Sequence, residues 1–119
     1  RGDFSNNIGS YLKALAAVDY DIPFFVAAPS STFDWKLNDG KREIPIENRS
    51  AAEGLTVRGV DQTGHDASVQ LAPPDEAAVN PAFDVTHNRF VSGIITERGI
   101  FAPTDLATRF QDQIANAGL

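Results

Sequence analysis

The feature that most constrains the fold is a continuous apolar run, Ile22–Ala28, with its only proline near the beginning. Such a run is typical of a strand that is buried on both faces, where proline is tolerated only at the start. Apolar residues recur at helical spacing from Asp3 to Tyr20, which predicts an amphipathic helix whose start is capped by Asp3, Ser5 and Asn6. A helix followed by a buried strand predicts an α/β protein.

The remaining elements are predicted from turn residues and from apolar spacing. They are a hairpin of Leu55–Val60 with Ser68–Leu71, a strand over Ala82–Val85, a helix capped by Thr86 and ended by Gly99, a strand at Ile100 and Phe101, and a third helix after Pro103. This order fits part of a doubly wound sheet. We therefore expect one domain, residues 1–119, with a Rossmann-like, mostly parallel sheet that is flanked by helices.

Charge and composition exclude several classes of partner. The chain has ten Lys and Arg against sixteen Asp and Glu, a net charge of -6, and no basic run, so nucleic acid is not an expected partner. No apolar stretch reaches the roughly 20 residues that span a bilayer, and no signal peptide opens the chain, so a cytoplasmic protein without a membrane partner is expected. The absence of Cys excludes thiol chemistry within these residues. Because the chain begins without Met, a preceding part is also expected.

Two segments are candidates for binding a polar ligand. The stretch from Gly2 to Gly9 contains Asn6 and Asn7 at the expected helix start, where backbone N–H groups favour an anion such as a sugar phosphate. Ordinary capping of the helix explains the same residues. Ala28–Thr32 follows the carboxyl end of the apolar strand, where ligands bind in open α/β sheets. A simple turn explains that segment equally well.

Three charged residues have structural and functional interpretations. Asp84 ends a predicted strand and could orient a substrate hydroxyl or an Arg, although an ordinary strand-to-helix junction is the favoured explanation. Glu97 and Arg98, near the end of the second helix, are interpreted as a solvated pair that contributes little to stability.

The histidines and the tryptophan do not indicate a catalytic site. His65 and His87 are far apart in the sequence and are expected to be exposed, so no metal site is predicted. Trp35 and Phe33 are expected to pack a loop onto the core. No glycine-rich phosphate loop, serine elbow or HExxH helix is present.

Four segments, in this order, resemble the methylthioribose-1-phosphate isomerase family: GDFSNNIGSYLKALA, IPFFVAAPSSTFDW, EIPIENR and NPAFDVTHNRFVSGIITERGIFAP. Together they cover most of the chain from Asp3 to Pro103. The resemblance implies an aldose–ketose isomerase of methionine salvage that converts methylthioribose 1-phosphate to methylthioribulose 1-phosphate. It implies a homodimer and no metal or organic cofactor. In this family a cysteine and an aspartate perform the chemistry, and both fall before Arg1, so the chain would be the C-terminal domain of a longer enzyme.

The resemblance also assigns substrate-binding residues. The family has an Asn followed by a Lys at the helix start; Asn6 matches the first, whereas Asn7 replaces the cation with a neutral amide. His87 replaces a proline that usually follows FDVT. Ribose-1,5-bisphosphate isomerases and the regulatory subunits of initiation factor 2B share the fold but as a rule lack the APSST-x-D segment, which this chain has at Ala28–Asp34. The alternative function is a non-catalytic or altered-specificity paralogue that binds another sugar phosphate.

Overall fold

The computed structural model describes residues 2–118. The chain forms two compact units: one runs to Pro45 and resumes at Phe83, and the other is Ile46–Ala82. The strands are β1 (Phe4–Asn7), β2 (Phe25–Ala27), β3 (Thr56–Val60), β4 (Asp66–Gln70), β5 (Phe83–Thr86), β6 (Gly93–Thr96) and β7 (Gly99–Phe101). The α-helices are α1 (Ser10–Asp19), α2 (Gly40–Glu43), α3 (Ala52–Leu55), α4 (Leu106–Arg109) and α5 (Gln111–Asn116). Short 3₁₀ turns occur at Ser30–Thr32, Asn88–Phe90 and Pro103–Asp105.

The first unit contains two small sheets. Strand β1 pairs antiparallel with β5, so that Asn6 lies opposite Asp84. The other sheet has the order β2-β6-β7, in which β2 and β6 are parallel and β6 and β7 form an antiparallel hairpin. The α/β class predicted from the sequence is therefore correct, and the parallel pairing among the described strands is confined to β2 and β6.

Strand β2 is shorter and more exposed than the apolar run predicts. It spans Phe25–Ala27 and lies at one edge of its sheet, with β6 in the middle. Residue Phe25 is 48% exposed. The expectation of a central strand that is buried on both faces is therefore wrong for this chain.

Helix α1 begins later than its apolar spacing predicts. The segment Phe4–Asn7 is extended, and Gly9 adopts a φ of 101°, a left-handed conformation that favours glycine and prevents the helix from continuing backward. The predicted caps Asp3, Ser5 and Asn6 are wrong, because the N-cap position belongs to Gly9, which has no side chain to accept a hydrogen bond. The helix packs mainly against β5, and Tyr11 also makes an edge-to-face contact with Phe90 in the turn that follows β5, so the expected packing against β2 is not the main one.

The second predicted helix is absent, because the residues after Thr86 form a short turn and then β6 and β7. A Cβ on Gly93 would lie 3.0 Å from the Phe25 ring, so glycine there leaves room for this ring where β6 pairs with β2. Gly99, expected to end a helix, instead has a φ of 129° in the β6–β7 turn. The Thr96 hydroxyl closes this turn by donating to the Gly99 carbonyl at 3.0 Å.

The main core lies beneath the C-terminal helices. Phe110, fully buried, packs with Val91, Ile94 and Leu106. The predicted third helix exists in two pieces, α4 and α5, because the backbone of Phe110 leaves the helical region between them.

Residues 2 and 103 touch within the first unit, since a Cβ built on Gly2 would lie 2.5 Å from the Cβ of Pro103.

The second unit contains the predicted hairpin, which is confirmed. Strands β3 and β4 pair in register from Thr56 opposite Gln70 to Val60 opposite Asp66. The Asp61 carboxylate organises the turn by accepting hydrogen bonds from the backbone N–H groups of Thr63 and His65 and from the Thr63 hydroxyl. The Thr63 hydroxyl and these N–H groups lower the pKa of Asp61.

Candidate substrate-binding groove

A groove of about 1130 Å³ runs along the first unit. Strand β1 borders it through Asn6, and the residues that follow β2 border it through Pro29, Thr32 and Asp34. The lining runs along β2 from Phe25 to Ala27 and continues past the carboxyl end of that strand, the place where open α/β sheets bind ligands. The groove is therefore the candidate site of this chain.

The two predicted substrate-binding residues lie side by side on β1. Asn6 and Asn7 are both exposed, and Asn6 lines the groove. The Asn7 backbone is fixed because its carbonyl accepts a hydrogen bond from the Ser10 hydroxyl at 2.8 Å. Consecutive side chains of a strand point to opposite faces, so the two amides serve different surroundings. Asn6 and Asn7, which were expected at the start of a helix, therefore lie in strand β1.

The start of helix α1 is occupied by a carboxylate from another strand. Asp84 on β5 accepts a hydrogen bond from the Gly9 N–H at 2.7 Å, and its two oxygens lie 3.1 and 3.2 Å from the Tyr11 nitrogen. A carboxylate at this end of a helix is favoured by the helix dipole. The anion at the start of α1 is thus Asp84 itself, and Asp84 is a cap supplied from β5 rather than the end of a strand-to-helix junction.

A second carboxylate, that of Asp3, joins two segments that border the groove. Its oxygens accept hydrogen bonds from the backbone N–H groups of Asn88, at 2.8 Å, and Gly40, at 3.3 Å. The Asp3 side chain is 10% exposed, and the Nδ1 atom of exposed His87 lies 3.9 Å from it. Asp3 therefore holds the border of the groove together instead of capping α1.

The segment Pro29–Trp35, which we name the Ser30 loop, is anchored by two polar side chains. Glu97 accepts a hydrogen bond from the Ser30 N–H at 2.9 Å and another from the Ser30 hydroxyl. The Gln113 amide donates to the same hydroxyl oxygen at 2.6 Å. The Ser30 hydroxyl, together with the Ser30 N–H, lowers the pKa of Glu97. The Ser30 hydroxyl, which belongs to a segment predicted to bind a polar ligand, therefore forms hydrogen bonds with Glu97 and Gln113 instead.

The neighbouring residue, Arg98, has a partner in the last helix. Its guanidinium forms two hydrogen bonds of 2.7 Å with the two carboxylate oxygens of Asp112. It also lies over the Phe110 ring, 4.7 Å from the centroid. The interpretation of Glu97 and Arg98 as a solvated pair is wrong, because each binds a different residue outside the β6–β7 turn.

Aromatic side chains fix the far end of the Ser30 loop. The Phe33 ring meets the Phe110 ring edge to face at 5.3 Å, and the Trp35 ring lies 6.1 Å from Phe110. The prediction that these residues pack a loop onto the core is confirmed. Loop position is therefore set at Ser30 by hydrogen bonds and at Phe33 and Trp35 by packing.

Sequence reasoning missed the role of Glu97, which it interpreted as part of a solvated pair, and did not name Gln113. Ser30 follows β2 and Glu97 follows β6, and the carboxyl ends of parallel strands meet at one edge of a sheet. A strand assignment for Gly93–Thr96 would have placed Glu97 beside Ser30. No comparable signal in the sequence points to Gln113.

Residues 2–118 contain neither a metal-binding cluster nor a membrane-spanning helix. His65 and His87 are exposed, as predicted. Within the described part of the chain, no group of His, Asp and Glu side chains has an arrangement that could hold a metal ion. Among the same residues, no helix is long and apolar enough to cross a membrane.

Comparisons with known proteins agree with the resemblance noted from the sequence. The model of the Initiation factor 2 subunit family matches residues 1–103. A methylthioribose-1-phosphate isomerase from Acidiphilium cryptum is 54% identical over 114 residues, which cover 94% of this chain and 31% of the relative. The chain thus spans about three tenths of the length of the curated relatives it matches.

Two solved structures have a similar fold. The crystal structure of 5-methylthioribose 1-phosphate isomerase from Pyrococcus horikoshii OT3 has a TM-score of 0.76 and 41% identity, covering 92% of this chain and 29% of that one. The structure of translation initiation factor eIF-2B, subunit delta, from A. fulgidus has a TM-score of 0.72 and 34% identity, covering 90% of this chain and 28% of that one. The mixed α/β fold is therefore shared with both.

Proposed function

Because the chain belongs to the Initiation factor 2 subunit family, we propose that it is the C-terminal part of an isomerase that converts methylthioribose 1-phosphate to methylthioribulose 1-phosphate. The observation that carries the proposal is the identity with the Acidiphilium isomerase, which exceeds the identity with the initiation-factor subunit. In this reaction a proton or hydride moves between C1 and C2 of the sugar. The catalytic cysteine and aspartate that the resemblance implies would come from the preceding part.

The chain itself supplies one border of the substrate site. Asn6 lines the groove, where its amide can both donate to and accept from a sugar hydroxyl. Asn7 has a neutral amide where the family has a cation, and it is not among the residues that line the groove. Since the Asp84 carboxylate occupies the start of α1, the phosphate dianion is held by side chains from the preceding part rather than by this helix.

The preceding part also completes the fold in this proposal. In the described sheet β2 pairs with β6 on one side only, so its other edge can accept a further strand and extend a Rossmann-like, mostly parallel sheet. Large apolar side chains on α1 and in the segments next to it are exposed in this chain: Ile8, Leu12, Leu15, Val18, Tyr20 and Ile22. Their exposure supports burial against the preceding part and against the second subunit of a homodimer.

The test is a graft that replaces the matching segment of the Acidiphilium isomerase with this chain. We expect the graft to isomerise methylthioribose 1-phosphate, and Asn6→Ala in it to raise KM because a groove-lining amide is lost. The unaltered relative is the positive control, and Asn116→Ala is a control on an exposed amide of α5 that does not line the groove. A graft that folds with the relative's sedimentation and circular dichroism but has no isomerase activity would contradict the proposal.

A second function, a non-catalytic protein that binds a different sugar phosphate, is favoured by one observation. The eIF-2B delta subunit shares the fold at nearly the same TM-score as the isomerase. In that case the folded graft binds a sugar phosphate in calorimetry without turning it over. Sequencing the preceding part separates the two functions, since the isomerase requires its cysteine and aspartate.

A further inference from the structure

We propose that Gln113 and Glu97 are positioning residues of this site, which together hold the Ser30 loop in the conformation that borders the substrate. The inference rests on the proposed function. Neither side chain needs to touch the substrate. Each acts through Ser30, whose residue surface is 5% exposed.

The geometry is that of a clamp closed from two sides. The Ser30 hydroxyl donates to Glu97 and accepts from the Gln113 amide, so its donor and one acceptor position are both used. The Ser30 N–H donates to the second oxygen of Glu97. The loop base is therefore joined to the β6–β7 turn and to helix α5 at a single residue.

The same loop is a border of the groove. Pro29, Thr32 and Asp34 line it, whereas Ser30 is turned toward Glu97. The Thr32 hydroxyl donates to the Pro29 carbonyl at 3.0 Å, and Asp34 accepts from the Lys36 N–H at 2.9 Å, so the lining residues are held within the loop as well. A shift at Ser30 would move the groove border directly.

The helix that carries Gln113 lies outside the stretch that defines the family. The family match ends at residue 103, so Gln113, Asp112 and Phe110 come after it. The alignment with the Acidiphilium isomerase covers 94% of the chain and must extend past residue 103. The clamp therefore joins a family-wide segment to a tail that the general family model does not describe.

Loss of the clamp should weaken substrate binding more than it slows turnover. Without the Gln113 hydrogen bond the loop samples more conformations, and substrate must order it again on binding, which raises KM. The loss of one hydrogen bond of ordinary strength corresponds to a change of about 3- to 10-fold in an equilibrium constant. The kcat of the fraction that binds is expected to change less.

The experiment uses the Acidiphilium graft, which carries the whole chain, with Gln113→Ala, Gln113→Glu and the control Gln111→Ala. Gln111 is an exposed residue of the same type on the same helix. We expect KM for methylthioribose 1-phosphate to rise about 3- to 10-fold in Gln113→Ala. Gln113→Glu keeps the side-chain size but cannot donate as a carboxylate and repels Glu97, so it should be at least as impaired. The control should match the unsubstituted graft.

Several outcomes separate this inference from the proposed function. The clamp would be overturned if the graft is active and Gln113→Ala has the same KM as the unsubstituted graft. It would also be overturned if Gln113→Glu has the KM of the unsubstituted graft. Either result would leave the isomerase assignment intact. In the graft, hydrogen exchange at the Ser30 and Phe33 amides should become faster in Gln113→Ala and not in Gln111→Ala. Unchanged exchange would overturn the clamp whether or not the graft is active.

Discussion

The Ser30 loop and helix α1 differ in how completely this chain buries their apolar side chains, and we call their surroundings the loop side and the helix side. On the loop side, Phe33 and Trp35 pack against Phe110, which is 0% exposed, and Glu97 and Gln113 bind the loop through Ser30. On the helix side, α1 is held at its start by Asp84, yet Leu12 on the same helix is 67% exposed. The loop side is packed within the chain, whereas the helix side leaves apolar surface exposed. The stability of the chain is therefore expected to depend on the loop side more than on α1.

The largest expected effect tests this difference directly. Phe110→Ala should lower the free energy of unfolding of the chain by about 3 to 5 kcal/mol, because a fully buried ring leaves a cavity. Leu12→Ala removes an exposed side chain and should change it by less than about 0.5 kcal/mol. Urea denaturation followed by circular dichroism measures both. Equal losses in the two variants would break the comparison, since α1 would then be as well packed as the loop side.

A medium effect is expected on binding at β1. Asn7→Lys restores the cation that the family has after Asn6; Asn7 itself does not line the groove, but the longer, flexible lysine side chain can turn around β1 toward the phosphate. It should tighten binding of methylthioribose 1-phosphate by about tenfold, which corresponds to about 1.4 kcal/mol. Calorimetry on the graft at two salt concentrations measures the affinity, and the gain should shrink at the higher salt. Asn116→Lys, on the exposed end of α5 and outside the groove lining, is a control for added charge elsewhere. If affinity and its salt dependence both stay the same, Asn7 has no part in binding.

The smallest effect concerns the carboxylate of the loop side. Because Ser30 lowers the pKa of folded Glu97, the stabilisation is present above the ordinary Glu pKa of about 4.3 and is lost as pH falls through the lower folded value. The Glu97→Gln variant should therefore lose less stability than the unsubstituted chain between about pH 5 and pH 3. Thermal melts across this range measure it, with exposed Glu76→Gln as the control. Parallel melting curves for Glu97→Gln and the unsubstituted chain would contradict it.

Local sequence signals predicted the elements whose stability is local. The hairpin of β3 and β4 follows from alternation around a polar turn, and the body of α1 follows from apolar spacing. Phe90, Val91, Ile94 and Ile95 also have helical spacing, but they fold as a turn and a strand. The reason is nonlocal, because the strand pairs with β2, and Gly93 allows that approach.

Contacts between distant residues explain what was missed at the site. The Asp84 cap reaches Gly9 across 75 positions, and Glu97 reaches Ser30 across 67. Neither spacing leaves a periodic signal in the sequence. Asn6 was named from its place at the expected helix start and again through the family resemblance, and its predicted surroundings were wrong because the left-handed conformation of Gly9 was not foreseen.

The contact between Gly2 and Pro103 makes the family-matched stretch nearly closed on itself. Because these two residues touch, the chain enters this stretch and leaves it at neighbouring points of the first unit. The same closeness means that a side chain larger than hydrogen at position 2 would push on Pro103, the residue from which the chain continues toward Phe110 and Gln113.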